Sequence, residues 1–160
     1  MTTSHMTRIV AFTLTLALGI PGGLFAASDS TYPLPSILTD IEGHIAELTL
    51  NIERVSDRIK FLRGAPPSKD PLIQEILDLD IRGWELHMEQ WNFQLENLRF
   101  TEEILRKVQE HPEEKPEALK AWQTRLQKFH GAMEQYRQQR AGIEVLRLET
   151  AAQLIEQYLR

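Results

Sequence analysis

Histidine side chains are the groups in this sequence best suited to metal chemistry, because imidazole is a common ligand for zinc, copper and haem iron. The histidines that follow the N-terminal region are His44, His87, His111 and His130. On a helical register, His87 lies about 7 Å along the axis from His44 and about 15 Å from His130. No third ligand accompanies the first two, and metal bonds of about 2 Å cannot span the longer separation. We therefore expect no metal site.

Met88, which stands between Trp84 and Trp91, is a further candidate ligand. Methionine binds haem iron or copper in some proteins, but a thioether also fills irregular gaps in apolar cores. The spacing of these three residues is that of a core stripe, so we expect no cofactor. A cofactor- or metal-binding helical bundle of the cell envelope remains the alternative interpretation.

Other catalytic patterns are absent from the sequence. There is no Cys, which excludes thiol nucleophiles, disulfides and zinc sites built from thiolates. Ser56 and Ser68 have no nearby His and acidic residue in a supporting motif, and no glycine-rich phosphate-binding loop occurs. The sequence thus predicts a protein that is not an enzyme.

The charge balance argues against nucleic acid as a partner. The 160 residues include 18 Lys and Arg against 23 Asp and Glu, a formal net charge of −5, and the basic residues form no block of the kind that phosphate binding needs. Residues 69–111 are acidic, with five basic and ten acidic side chains, whereas residues 115–160 are basic, with eight and five. We expect these two segments to attract each other.

Residues 1–27 have the layout of a secretory signal peptide. Arg8 precedes an apolar run, Ile9–Ile20, which Pro21 and two Gly end before a few small residues. The cleavage site is weak, because Leu24 or Phe25 occupies the position where a small residue is preferred. An uncleaved anchor is the alternative, since the uncharged segment from Ile9 to Ala27 is nearly long enough to span a bilayer. In both cases the protein is predicted to be exported, as a periplasmic or secreted protein.

The rest of the chain carries three stretches with apolar residues at alternating steps of three and four, the pattern of coiled-coil helices. These stretches predict helices over residues 36–64, 71–111 and 116–160, after an extended arm at 28–35. Ser36 is the expected cap of the first helix, and Asp70 that of the second. No period-two alternation indicates a strand. The fold class is therefore all-α, an elongated antiparallel three-helix bundle with up-down-up topology.

The heptads also predict which residues face one another. A chain reversal centred on Ser68 places Ile45 opposite Trp91, and a second reversal within 111–116 places Trp91 opposite Tyr136. Both centres fall in proline-rich segments, which is where turns are expected. These three side chains should therefore share one layer of the core.

More apolar residues are present than one core requires. The surplus residues are Leu72, Leu79, Leu86, Phe93 and Phe100 on the second helix and Val145, Leu148, Ile155 and Leu159 on the third, in a row with Ala141 and Ala152. A contiguous exposed apolar patch usually marks an interface, so we expect a surface for self-association or for a client chain. The alternative is a change of phase in the third helix at Arg137–Arg140, after which this stripe replaces the other as core.

The predicted function is that of an exported, non-enzymatic helical interaction protein. It would act as a scaffold or as a chaperone-like binder through the apolar stripe on its second and third helices. The expected partner is another protein or a second copy of the chain, without nucleic acid and without stable membrane insertion unless the signal is uncleaved.

Overall fold

The structure, a computed structural model, describes residues 34–160, which form three α-helices joined by short connections. The helices are α1, Leu34–Gly64, α2, Pro71–Glu110, and α3, Lys115–Leu159, with a 3₁₀ turn at Pro112–Glu114. No strand occurs among these residues, and the predicted all-α fold class is confirmed. The predicted signal peptide and residues 28–33 of the predicted arm lie outside the described residues.

α1 begins two residues earlier than predicted, so Leu34 and Pro35 belong to the helix and not to an extended arm. Pro35 explains the difference, because its fixed φ suits the first turn of a helix, where its missing N–H breaks no hydrogen bond. Its carbonyl accepts a hydrogen bond from Thr39 Oγ1 at 3.0 Å. Ser36, the predicted cap, therefore lies inside the first turn.

α2 begins with the cap that the sequence predicts. Asp70 Oδ1 accepts hydrogen bonds from the backbone N–H groups of Leu72, at 2.9 Å, and Ile73, at 3.4 Å. These bonds satisfy two of the donors that the first turn of any helix leaves without a helical partner. Gln74 Oε1 reaches back and accepts a hydrogen bond from the backbone N–H of Ser68 at 2.8 Å. Side chains on both sides of the boundary thus fix where α2 starts.

The chain divides into two compact units, each of which contains part of all three helices. Among the described residues, unit 1 consists of 34–46 and 98–127, and unit 2 consists of 47–97 and 128–160.

Unit 1 has a small apolar core between α1 and α2. Its buried members are Ile37, Leu38, Ile41 and Leu105, with Ile45 and Leu98 packed against them. Ile41, at 1% exposure, is the most completely buried of these side chains. Arg106 of α2 makes ion pairs with Glu42 of α1 and with Glu102 one turn earlier on α2.

The pairing of α1 with α2 in unit 1 differs from the predicted register. A reversal centred on Ser68 places Leu105 before the start of α1, whereas Leu105 clusters with Ile37 and Ile41. The predicted register is therefore wrong by about one heptad, roughly 10.5 Å along the helix. The connection 65–70 can span roughly 20 Å when extended, which is enough to permit the shift.

In unit 2, the contacts between α2 and α3 agree with the predicted register. The contacting pairs are Asp70 with Gln157, Asp80 with Arg147, Phe93 with Tyr136, and Gln94 with Met133. The residue numbers on α2 rise as those on α3 fall, and three of the four pairs match the predicted level to the residue. In the same unit α1 contacts α2 through Arg58, whose guanidinium lies 5.0 Å from the ring centroid of Trp84.

Candidate protein-interaction surface

The inward face of the C-terminal half of α3 is defined by its contacts with α2. Arg147 Nε lies 2.7 Å from Asp80 Oδ1, and a Cβ added at Gly83 would lie 3.8 Å from Ile143 Cγ2. Thr150 is 4% exposed, and its hydroxyl donates a hydrogen bond to the carbonyl of Leu146 at 3.0 Å. Two of these three α3 side chains are polar: Arg147 forms an ion pair with Asp80, and Thr150 bonds to the backbone of its own helix. The packed face of α3 is thus set by small and paired polar groups as well as by apolar ones.

A second row of apolar residues on the same half of α3 faces away from these contacts. This row, here called the outer stripe, consists of Ala141, Val145, Leu148, Ala152, Ile155 and Leu159, all of them exposed. Its members recur at steps of four and three residues, which is the spacing of a coiled-coil seam. Leu148 is 60% exposed, Ile155 59% and Leu159 82%. The outer stripe is therefore a helical seam about 28 Å long with no partner in the described part of the chain.

The α2 residues of the predicted surface are buried or half-buried, unlike those of α3. Leu79 and Leu86 are buried, and Leu72, Phe93 and Phe100 are half-buried. The expectation that the α2 stripe faces water is therefore wrong, most clearly at Leu79 and Leu86. The physical reason is that α2 contacts α1 and α3 with different sides, so both of its apolar stripes serve as core.

Aromatic contacts show how the α2 stripe is used. The rings of Phe93 and Phe129 stack with centroids 5.7 Å apart, and Tyr136 lies 6.3 Å from Phe93. In unit 1, the guanidinium of Arg125 lies 5.6 Å from the ring centroid of Phe100. These α2 side chains are engaged within the chain, whereas the predicted α3 residues are not.

Sequence reasoning missed two exposed apolar side chains on α1. Phe61 is 77% exposed and Leu50 is 45% exposed. Both lie off the heptad seam of α1, and scattered exposed apolar residues are common on protein surfaces. On α3, Tyr158 is 70% exposed and stands beside the outer stripe, where the sequence pattern places it.

Ion pairs neutralise much of the charge along the edges of the outer stripe. Glu144 pairs with Arg147 at 3.6 Å, and Glu156 pairs with Arg160 at 3.7 Å. Near the N-terminal end of the stripe, Arg137 Nη1 lies 2.7 Å from Glu134 Oε2. A partner that covers the stripe would therefore meet edges that are close to neutral.

The histidines that were weighed as candidate metal ligands form no metal-binding cluster in the described part of the chain. Among residues 34–160, no group of three or more His, Asp or Glu side chains is placed to hold one metal ion. His87 lies in unit 2, where its ring contacts Trp91, at 4.3 Å between centroids, and Trp84, at 6.2 Å. His44 belongs to unit 1. Met88 is half-buried, as a core residue would be.

His87 should make stability depend on pH. Burial and the positive charge of Arg140 lower the pKa of His87 from 6.5 to about 4. The unfolded chain therefore binds this proton more tightly than the folded chain does. The contribution of neutral His87 to the free energy of unfolding is fully present above pH 6.5 and is lost as the pH falls towards 4. We expect the urea midpoint to decrease over this range, and to decrease less in His87→Gln. The exposed His130→Gln serves as control, and an equally steep fall in His87→Gln would contradict the assignment.

None of the helices in residues 34–160 combines the length and the apolar character that crossing a bilayer requires.

Comparison with known proteins finds no matching protein family, no matching curated protein and no matching solved structure.

Proposed function

We propose that this chain is an exported, non-enzymatic interaction protein that binds a protein partner through the outer stripe of α3. The observation that carries the proposal is the contrast within one helix. Thr150 is buried and Arg147 forms an ion pair with Asp80 of α2, while Leu148, Ile155 and Leu159 remain in solvent. At about 25 cal/mol per Å², leaving this apolar area in water forgoes several kcal/mol. A soluble chain that keeps such a seam exposed is best explained by a partner that covers it.

The helices that present the stripe are proposed to form an elongated antiparallel bundle. The order of the α2 and α3 contacts in unit 2, in which Asp70 meets Gln157 and Gln94 meets Met133, is the order that an antiparallel hairpin produces. The predicted signal peptide supports export, which makes the protein periplasmic or secreted.

The chemistry of the stripe favours a protein over a lipid surface. Helices that lie on membranes carry Lys and Arg along the edge of their apolar face, where they meet anionic headgroups. Here residues 137–160 carry three Glu, which are Glu144, Glu149 and Glu156, against four Arg, so the edges of the stripe are mixed in charge and not basic. Carboxylates in these positions oppose binding to anionic lipid but suit an amphipathic helix.

The proposal is tested by placing charge in the stripe without touching the packed face. In Leu148→Asp with Ile155→Asp we expect unchanged helicity, together with the loss of self-association or of the ability to suppress aggregation of a client protein. Light scattering over a concentration series and a client-aggregation assay measure the two activities. Gln139→Asp with Gln153→Asp, two exposed positions on α3 outside the stripe, provides the charge-matched control. Equal behaviour of both variants would overturn the proposal.

The cofactor-binding alternative has a separate measurement. A bundle that binds haem or a metal should be coloured, or should contain metal in stoichiometric amount, when purified from its native source. Colourless and metal-free protein from that source would leave the interaction role as the explanation of the exposed seam.

A further inference from the structure

The sequence of the outer stripe is complementary to itself when two copies are paired antiparallel. Antiparallel coiled coils pair the first apolar position of each heptad with the fourth position of the other helix. When two copies of the stripe are paired in this way about the level of Thr150, every member finds a counterpart. Ala141 then faces Leu159, Val145 faces Ile155, and Leu148 faces Ala152. We infer that the stripe is covered by a second copy of this chain, bound antiparallel and centred at residue 150. This inference rests on the proposed function and names its partner.

Side-chain volume selects this register over its neighbours. In the centred register each Ala faces a Leu, so small and large residues alternate across the seam and fill it evenly. A shift of one heptad towards the N-terminus sets Ala141 against Ala152, which leaves a void, and sets Gln138 against Ile155. A shift in the other direction sets Leu148 against Leu159, so that two large residues meet in one layer. The centred register is the most evenly packed of the three.

Charge permits the association of two copies. Residues 137–160 contain four Arg and three Glu, so two such segments meet with little net repulsion. The edge carboxylates of Glu144 and Glu156 already have arginine partners in their own chain. Glu149 is the exception, because its position lies beside the two-fold axis and therefore opposite its own copy. We accordingly expect Glu149→Gln to tighten the dimer.

The size of the stripe sets the expected affinity of the dimer. A seam about 28 Å long and about 10 Å wide projects roughly 280 Å² on one copy. A standard stable interface buries about 800 Å² on each partner, so the dimer should be reversible and should dissociate on dilution.

The register is tested by a size swap across the interface. Leu148→Ala should raise the dimer dissociation constant about tenfold or more, since the dimer contains two equivalent Leu148 and Ala152 layers. Adding Ala152→Leu should restore most of the affinity, because the large residue then comes from the other copy. Adding Gln153→Leu instead restores the number of Leu residues, but it places the new Leu off the stripe and should restore no affinity. Sedimentation over a concentration series measures the three constants. Equal rescue by both second substitutions would overturn the register.

Cross-linking tests the relative direction of the two helices. The natural chain has no Cys, so a maleimide reagent reacts only with the Cys that is introduced. Glu149→Cys alone should give a cross-linked dimer with a short bis-maleimide reagent. Gly142→Cys, at a position where an added Cβ meets nothing within 4 Å, and Glu156→Cys should each fail alone but should cross-link when mixed. Self-cross-linking at all three positions would indicate a parallel dimer and overturn the inference.

Failure of this inference is distinguishable from failure of the proposed function. A chain that stays monomeric at every concentration yet loses client binding in Leu148→Asp with Ile155→Asp overturns the second copy and retains the interaction role. A monomer that shows no client binding at all overturns both.

Discussion

Leu79→Asp is expected to lower the free energy of unfolding by roughly 4 kcal/mol or more, and so to unfold a chain of ordinary stability or bring it close to unfolding. Leu79 is 9% exposed on α2, so the substitution removes buried apolar area and places a carboxylate where water is scarce. Urea unfolding followed by circular dichroism measures the loss, with the helical signal at zero denaturant as a second readout.

Leu148→Asp is the matched control, since it makes the same substitution in the same unit at a side chain that is 60% exposed. We expect it to change the unfolding free energy by less than about 1 kcal/mol, when measured at concentrations low enough to keep the chain monomeric. The comparison tests the assignment of the two stripes directly. A loss as large as that of Leu79→Asp would show that Leu148 packs within its own chain, and the outer stripe would cease to be a binding surface.

The contrast between these two leucines also shows what the sequence leaves open. Heptad spacing identifies both as apolar residues on the second side of a helix, and it predicts the same surface for both. The difference arises because α2 contacts other helices with two of its sides, whereas the C-terminal half of α3 contacts α2 with one side, on which the polar residues Arg147 and Thr150 lie. A polar residue at a packed position carries no apolar signal, so the sequence pattern cannot tell which face of α3 is inside.

The register in which neighbouring helices pair is also only partly predictable from the sequence. A seven-residue repeat matches itself after any shift of seven, so the connection between two helices decides among the matches. The connection from α2 to α3 is short, with a 3₁₀ turn at Pro112–Glu114, and the contact of Asp80 with Arg147 agrees with the predicted register. The connection 65–70 is longer and contains no helical turn, and there the predicted pairing was wrong by about a heptad. Helix number, type and approximate bounds follow from the sequence, whereas the α1 register does not.

The core of unit 1 provides the second large effect, because Ile41 is 1% exposed in a cluster that joins α1 to α2. Ile41→Ala should cost roughly 2–5 kcal/mol, from the lost burial of the side chain and from the cavity it leaves. The cluster contains few buried residues, so the neighbouring Leu38 and Leu105 have limited freedom to close the gap, and we expect the upper part of this range. Urea unfolding followed by circular dichroism again supplies the value.

Phe61→Ala is the comparison on the same helix, since Phe61 is 77% exposed. It removes a larger side chain than Ile41→Ala does, yet its expected cost is below about 0.5 kcal/mol, because little apolar area leaves the interior. The expected order is thus the reverse of the order of side-chain size. If the two variants lost similar stability, burial at the α1 and α2 contact would not be what holds unit 1 together, and the heptad shift inferred from the position of Leu105 would lose its main support.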